Sequence, residues 1–360
     1  MDYVKSWLSE MLRHATKLDH LAPNSRFFRP SASLDRYVVS GLVNLARVVG
    51  KIFSYLRHHA LSNSIIASSI FRHHISHEEE NLVRVSREMG LPLASVRQTL
   101  QKLGPGERQD HTAFILGSGA SVLGLKQSQW ARVRDSISIG FGAFPLHPFV
   151  PSAYAFSPVG ELADYGRVYS EVMRREDIVS ARPTILILRP RNQQEIDFFR
   201  TLPEEHLQQT LIYGRVGAVG PNPANLGHFV NDLRRASANR ENSPLITVDS
   251  GATVVRLISM LALAGFKNVV LVGVDIMNSH YFWEADADYL LNNGFSKFET
   301  GNDNGTVHKT QTLSGRGIKI LDAIPALAKS VKKSFGMSVT VGTGGSALGD
   351  HLEKFVWSSS

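Results

Sequence analysis

Three tracts of this 360-residue sequence carry most of the groups that could move a proton or hold charge. In Asn302-Asp-Asn-Gly-Thr-Val-His308-Lys309, His308 follows a flexible Gly/Asn/Asp run and precedes a helix-forming stretch. An accessible histidine there can serve as a general base near neutral pH, although a surface histidine without a role fits the same pattern. In Ser279-His-Tyr-Phe-Trp-Glu284 and the residues after it, Tyr281 and Tyr289 can donate hydrogen bonds to a departing phosphate. Tyrosines also fill seams between elements. Asp286 and Asp288 have the spacing of a metal-holding carboxylate pair, but their place after a strand end, in an expected helix, argues against metal. In the third tract, Gly117-Ser-Gly-Ala-Ser121, glycines permit close backbone approach, and the N–H groups and the Ser118 and Ser121 hydroxyls can hold a phosphate. Val122 stands where a third glycine would complete G-x-G-x-x-G, and no Gly-Lys-Ser/Thr ending makes it a P-loop, so a plain strand-to-loop turn remains open.

The elements that must position these groups are legible from apolar runs. Thr112 to Leu116 predicts a buried strand leading into the glycine turn, and Gln127 to Arg134 a short helix. Asp135 to Ile139 predicts a second strand running into Gly140-Phe-Gly142, with further strands at Ala153 to Phe156 and Thr184 to Leu188. Asp249-Ser-Gly251 leads into an apolar helix over Ala252 to Ala264, then a strand at Val269 to Val272 ending in Gly273-Val-Asp275. A helix over Arg316 to Phe335 and a strand at Met337 to Val341 follow. Alternating strands and helices predict a doubly wound, mostly parallel, Rossmann-like α/β sheet. The turns at Gly117–Ser121, Gly140–Gly142 and Gly273–Asn278 then lie at carboxyl strand ends, with Ser250-Gly251 at a helix start as a fourth wall. Together these imply an anionic ligand, most simply a nucleotide phosphate.

Residues 1–106 read as a basic helical extension and 107–360 as the α/β domain, with insertions or lids near 201–243 and 278–310. Tyr37 to Leu61 places Val38, Leu42, Leu45, Val49, Phe53 and Leu56 on one helical face, suited to an anionic membrane or to packing on protein. His73 and His77 have metal-ligand spacing beside Glu78, but nothing nearby completes a site, and a polar helix end is the expectation. The net charge of +7 favours polyanionic partners, an anionic membrane surface ahead of nucleic acid, since no nucleic-acid signature is present. With no cysteine, disulfides and thiolate chemistry are excluded. No apolar run of transmembrane length and no secretory h-region is found, which predicts a cytoplasmic protein, peripheral on the inner membrane. Self-association is a further expectation.

The segment Val248-Asp-Ser-Gly-Ala-Thr…Gly-Phe-Lys-Asn-Val-Val-Leu-Val-Gly-Val-Asp-Ile276, with Gly117-Ser-Gly-Ala-Ser121 and the tract ending at His308, resembles the bacterial sialyltransferases that use CMP-sialic acid, the group containing the Campylobacter lipooligosaccharide enzymes. The resemblance covers roughly residues 111–345 and implies a sialyltransferase-type variant of the glycosyltransferase A fold. It also implies inverting, metal-independent transfer of a nonulosonic acid from its CMP conjugate to a glycan or glycolipid hydroxyl, in lipopolysaccharide or capsule synthesis, with no cofactor. His308 would deprotonate the acceptor, and Tyr281 and Tyr289 would stabilise the leaving phosphate. Gly117, Ser118, Gly119, Ser121, Gly140, Gly142, Ser250, Gly251 and Asp275 would line the nucleotide site. Ser118 and the Gly140-Phe-Gly142 region replace asparagines of the family pattern, which points to a CMP-sugar such as Kdo or a related nonulosonate. The competing expectations are an NAD-dependent Rossmann oxidoreductase, disfavoured by the missing third glycine, and a nucleotide-binding scaffold without turnover.

Overall fold

A computed structural model of the chain describes residues 64–95, 111–157, 171–218, 222–237, 243–276, 280–295 and 318–357. His308, the boundary at 106/107 and the amphipathic stretch 37–61 lie outside them. In chain order the main elements are α1 (Ser64–Met89), β1 (Thr112–Leu116), α2 (Gln127–Arg134), β2 (Ile137–Phe141), β3 (Ala153–Phe156), α3 (Glu176–Ala181), β4 (Thr184–Leu188) and α4 (Gln193–Arg200). They continue with β5 (Thr210–Gly217), α5 (Asn225–Ser237), β6 (Ile246–Asp249), α6 (Thr253–Leu263), β7 (Asn268–Val272), α7 (Ile320–Phe335) and β8 (Ser338–Val341).

The eight strands form one sheet in the order β6-β5-β4-β3-β2-β1-β7-β8, and every pairing is parallel. The strands are apolar throughout because both faces are covered. Their two-residue period divides them between two cores. Ala113, Ile115, Leu186 and Leu188 face a core completed by α1, α5, α6 and α7, whereas Phe114, Leu116, Ile185 and Ile187 face one completed by Val133, Ile178, Phe199, Phe282 and Trp283. Successive strands are added outward from β1 to β6, and α6 then returns the chain to β7 on the other side of β1. Strand order therefore reverses between β1 and β7, the place in an open parallel sheet where a crevice forms at the carboxyl ends.

Two sequence expectations are corrected. The stretch 201–243, expected as an insertion or lid with one helix near Ala224 to Ala236, has that helix as α5 but also holds the eight-residue strand β5, so it is part of the sheet. The glycine that made this stretch look loop-like has a packing role: a Cβ on Gly214 would lie 2.5 Å from Leu82 Cδ1 and 3.0 Å from Glu78 Cγ, so its absence lets α1 approach β5. Similarly, His73 and His77 do not end a helix but sit exposed in the middle of α1. Its Phe71 is fully buried and stacks on Phe229 of α5, with ring centroids 4.3 Å apart. This part of the stretch read as an extension is thus a layer of the α/β unit. Among the described residues no helix is long and apolar enough to cross a membrane.

Candidate functional site at the carboxyl ends of the strands

At the reversal, the turns after β1 and β7 are pressed together, and that contact explains their glycines. A Cβ on Gly273 would lie 2.5 Å from Gly117 O, a Cβ on Gly117 would strike Gly273 O, and one on Gly119 would meet the Asp275 carboxylate at 2.5 Å. Gly273 also has φ +66, a conformation that disfavours any side chain. Gly117 N–H donates to Val272 O (2.8 Å) and Gly119 N–H to Gly273 O (2.8 Å). On its other side the turn pairs with the segment around Tyr281: Ala120 N–H donates to His280 O (3.2 Å) and Phe282 N–H to Ser118 O (3.1 Å).

The carboxylate of Asp275 occupies the start of the short 3-10 turn Ala120–Gly124. It accepts from Ser121 N–H (2.7 Å) and Ser121 Oγ–H (2.6 Å), while Thr343 Oγ1 lies 2.9 Å from the same serine oxygen. Gly273 N–H donates to Thr343 Oγ1 (3.3 Å), which ties in the segment after β8. Burial raises the Asp275 carboxyl above its ordinary pKa, although both Ser121 bonds pull the other way. The N–H groups of Gly117, Gly119, Ala120 and Ser121, which sequence reasoning left free for a phosphate, are therefore engaged internally. Asp275 acts as a strut holding the turn.

The remaining residues around this crevice differ in what they can offer. Ser118 is half-buried, and its hydroxyl makes no hydrogen bond among the described residues. A Cβ on Gly142, which turns at φ +63, would meet only that Ser118 Oγ, at 3.6 Å. Gly140 lies within β2, where a Cβ would come 2.7 Å from Phe144 Cδ1; it serves packing. The Tyr281 ring is half-buried and stacks on Trp283 at 4.5 Å. The Tyr289 hydroxyl donates to Leu146 O (3.1 Å), so its proton is already committed, and burial raises its pKa. Nearby His147 packs against Trp130, Phe144 and Phe282, and burial, with Arg175 adding to it, lowers its pKa to about 4. It is neutral at physiological pH. Asp286 and Asp288 are exposed in a turn, with Asp288 N–H donating to Asp286 Oδ1 (3.0 Å). Among the described residues no cluster of three or more His, Asp or Glu side chains could hold a metal.

Ser250 and Gly251 lie at the end of edge strand β6, with four strands between β6 and β1. Here the sequence-level expectation is again modified, because Gly251 N–H donates to Asp249 Oδ1 (2.8 Å) rather than standing free. Asp249 also binds Arg256 Nη1 (2.9 Å) and Arg215 Nη1. Burial alone would raise its pKa, but the two guanidiniums and the Gly251 N–H prevail and hold it below the ordinary carboxylate value. Arg256, 3% exposed, further donates to Ser157 Oγ (2.5 Å) after β3 and to Thr253 Oγ1 (2.7 Å). The Ser250 hydroxyl is buried and has no hydrogen-bond partner among the described residues. Sequence reasoning missed this cluster. Its signal was Arg256 itself, a charge in an otherwise apolar helix that requires a buried partner.

No protein-family model and no curated protein matches this sequence. Among solved structures, the monofunctional α-2,3-sialyltransferase Cst-I from Campylobacter jejuni is similar at 14% identity, over 69% of this chain and 82% of that one, with a TM-score of 0.39. The sialyltransferase CST-II in complex with trisaccharide acceptor and CMP is similar at 12% identity, over 68% and 85%, with a TM-score of 0.36. The MAf glycosyltransferase from Magnetospirillum magneticum AMB-1 shows 17% identity over 71% of this chain and 38% of that one, with a TM-score of 0.35.

Proposed function

We propose that the chain is an inverting glycosyltransferase that moves a sialic acid or related nonulosonic acid from its CMP conjugate to a hydroxyl of a surface glycan or glycolipid. The observation that carries this reading is the reversal of strand order between β1 and β7. It sets the turn bearing Ser118 beside Gly142 and the Tyr281 segment, at the position where parallel sheets bind nucleotides. The sequence resemblance around these turns supplies the donor class. In this scheme His308 takes the proton of the acceptor hydroxyl, and that oxygen attacks the anomeric carbon from the face opposite CMP. CMP leaves with the bonding pair while Tyr281 donates a hydrogen bond to its phosphate. The basic stretch within residues 1–63 would hold the enzyme to an anionic membrane surface, near a glycolipid acceptor.

A second reading, a nucleotide-binding protein without turnover, is favoured by the internal use of the N–H groups after β1. One experiment separates the two. CMP release from a CMP-nonulosonate should fall by about 10²-fold or more in His308→Ala, the range for a lost general base, while CMP affinity is kept. Absence of CMP release in the wild-type chain that still binds CMP would establish the second reading, and unchanged release in the variant would remove His308 as the base.

A further inference from the structure

A second polar site lies on the same rim, where the end of β5 faces α1. A pocket of about 200 Å³ opens there, lined by His74, His77, Glu78, Arg215, Val216 and Gly217. Ligand pockets for whole cofactors run from about 300 Å³ upward, so this one suits a single functional group.

Its charge is set by the cluster behind it. Arg215 gives only Nη1 to Asp249, and Asp249 is shared with the buried Arg256. Glu78 accepts from Arg189 Nε (2.8 Å) and from the backbone N–H of Arg215 (3.2 Å). Among the described residues, the guanidiniums of Arg189, Arg215 and Arg256 thus face only the carboxylates of Glu78 and Asp249, leaving one positive charge in excess. The Nε and Nη2 of Arg215 have no partner among the described residues, and that edge is the fork that matches two oxygens of one anion. At the mouth, Asn81 Nδ2 lies 2.9 Å from His77 Nδ1. An amide NH₂ can only donate, so neutral His77 keeps its proton on Nε2 and is a further donor.

We propose that this pocket binds one oxyanion group, a phosphate or carboxylate of a small ligand, through the Nε/Nη2 edge of Arg215. The site stands independently of the transferase reading, since it uses neither His308 nor the β1–β7 crevice. The test is thermal unfolding of the full chain titrated with inorganic phosphate and, separately, with acetate, each against sodium chloride at equal ionic strength. At least one anion should raise the melting temperature beyond chloride, and the stronger of the two identifies the group bound. Arg215→Met should weaken that anion by at least about tenfold, the loss expected for a charge-assisted hydrogen-bond pair. Gly217→Asp gives a second test that leaves the arginine network intact. A Cβ there meets nothing within 4 Å, so the variant should melt like wild type without anion yet lose the anion-dependent shift. A shift no larger than chloride for both anions, or a full shift retained in Gly217→Asp, would overturn the proposal.

Discussion

Gly273→Ala tests whether the turns after β1 and β7 are locked together as described. The substitution forces an L-residue to φ +66, a cost of about 1–2 kcal/mol. Its Cβ would lie 2.5 Å from Gly117 O, about an ångström inside normal contact. Neither side can yield by rotating a side chain, because the contact is backbone on backbone and is bracketed by the Gly117-to-Val272 and Gly119-to-Gly273 hydrogen bonds, both 2.8 Å. Opening the gap weakens two largely buried hydrogen bonds at about 1 kcal/mol or more each. The expected total is about 3–5 kcal/mol, which for a chain of this size lowers the melting temperature by about 4–7 °C. The assay is thermal and urea unfolding followed by near-UV circular dichroism. Gly124→Ala is the control: a Cβ there meets nothing within 4 Å, and the change should be within about 0.5 kcal/mol of neutral. Gly273→Ala melting within about 2 °C of wild type would refute the close apposition of the two turns.

Three further outcomes follow from the packing and the charges. The folded-state pKa of Asp275 is raised, so its contribution is complete below the ordinary value of 3.8 and is lost as pH rises through the folded value. Asp275→Asn should therefore gain stability relative to wild type as pH climbs above 3.8, read from urea midpoints between pH 3 and 7; a constant difference would contradict this. The folded-state pKa of Asp249 is lowered, so its contribution is present above 3.8 and lost as pH falls through the folded value. Arg256→Met should cost about 3–5 kcal/mol at pH 7, and less when combined with Asp249→Asn, because the double variant leaves no carboxylate short of its buried partner. Phe71→Ala should cost about 3–5 kcal/mol in global unfolding, since Phe71 is fully buried against Phe229; a change confined to a separate early transition would detach α1 from the α/β core.

The strands announced themselves because a parallel sheet covered on both faces needs continuous apolar runs. Thr112–Leu116 and Thr184–Leu188 in the structure coincide with the stretches read from sequence. β5 did not, because Gly214 and Gly217 punctuate it, and nothing local reveals that Gly214 makes room for Glu78 and Leu82, which precede it by more than 130 positions. The turns at 117–121 and 273–275 were legible as a pair at strand ends, but not their occupants. That Asp275 fills the start of the turn after β1 is a contact between positions 154 residues apart, which no spacing rule reports. Ser250-Gly251 was read as a wall of the same pocket because residue type says nothing of strand order. The order placed β6 at the far edge, where Asp249, Arg215 and Arg256 form a polar centre of their own.

The central claim concerns the ligand of the β1–β7 crevice, and calorimetric titration of the full chain with CMP, UDP, GDP and NAD tests it most directly. The account predicts saturable binding of CMP, weaker or no binding of the others, and at least about tenfold loss of CMP affinity when Ser118→Asp places a carboxylate where the Ser118 hydroxyl stands over Gly142. Preferential binding of NAD, or CMP affinity unchanged in Ser118→Asp, would contradict it.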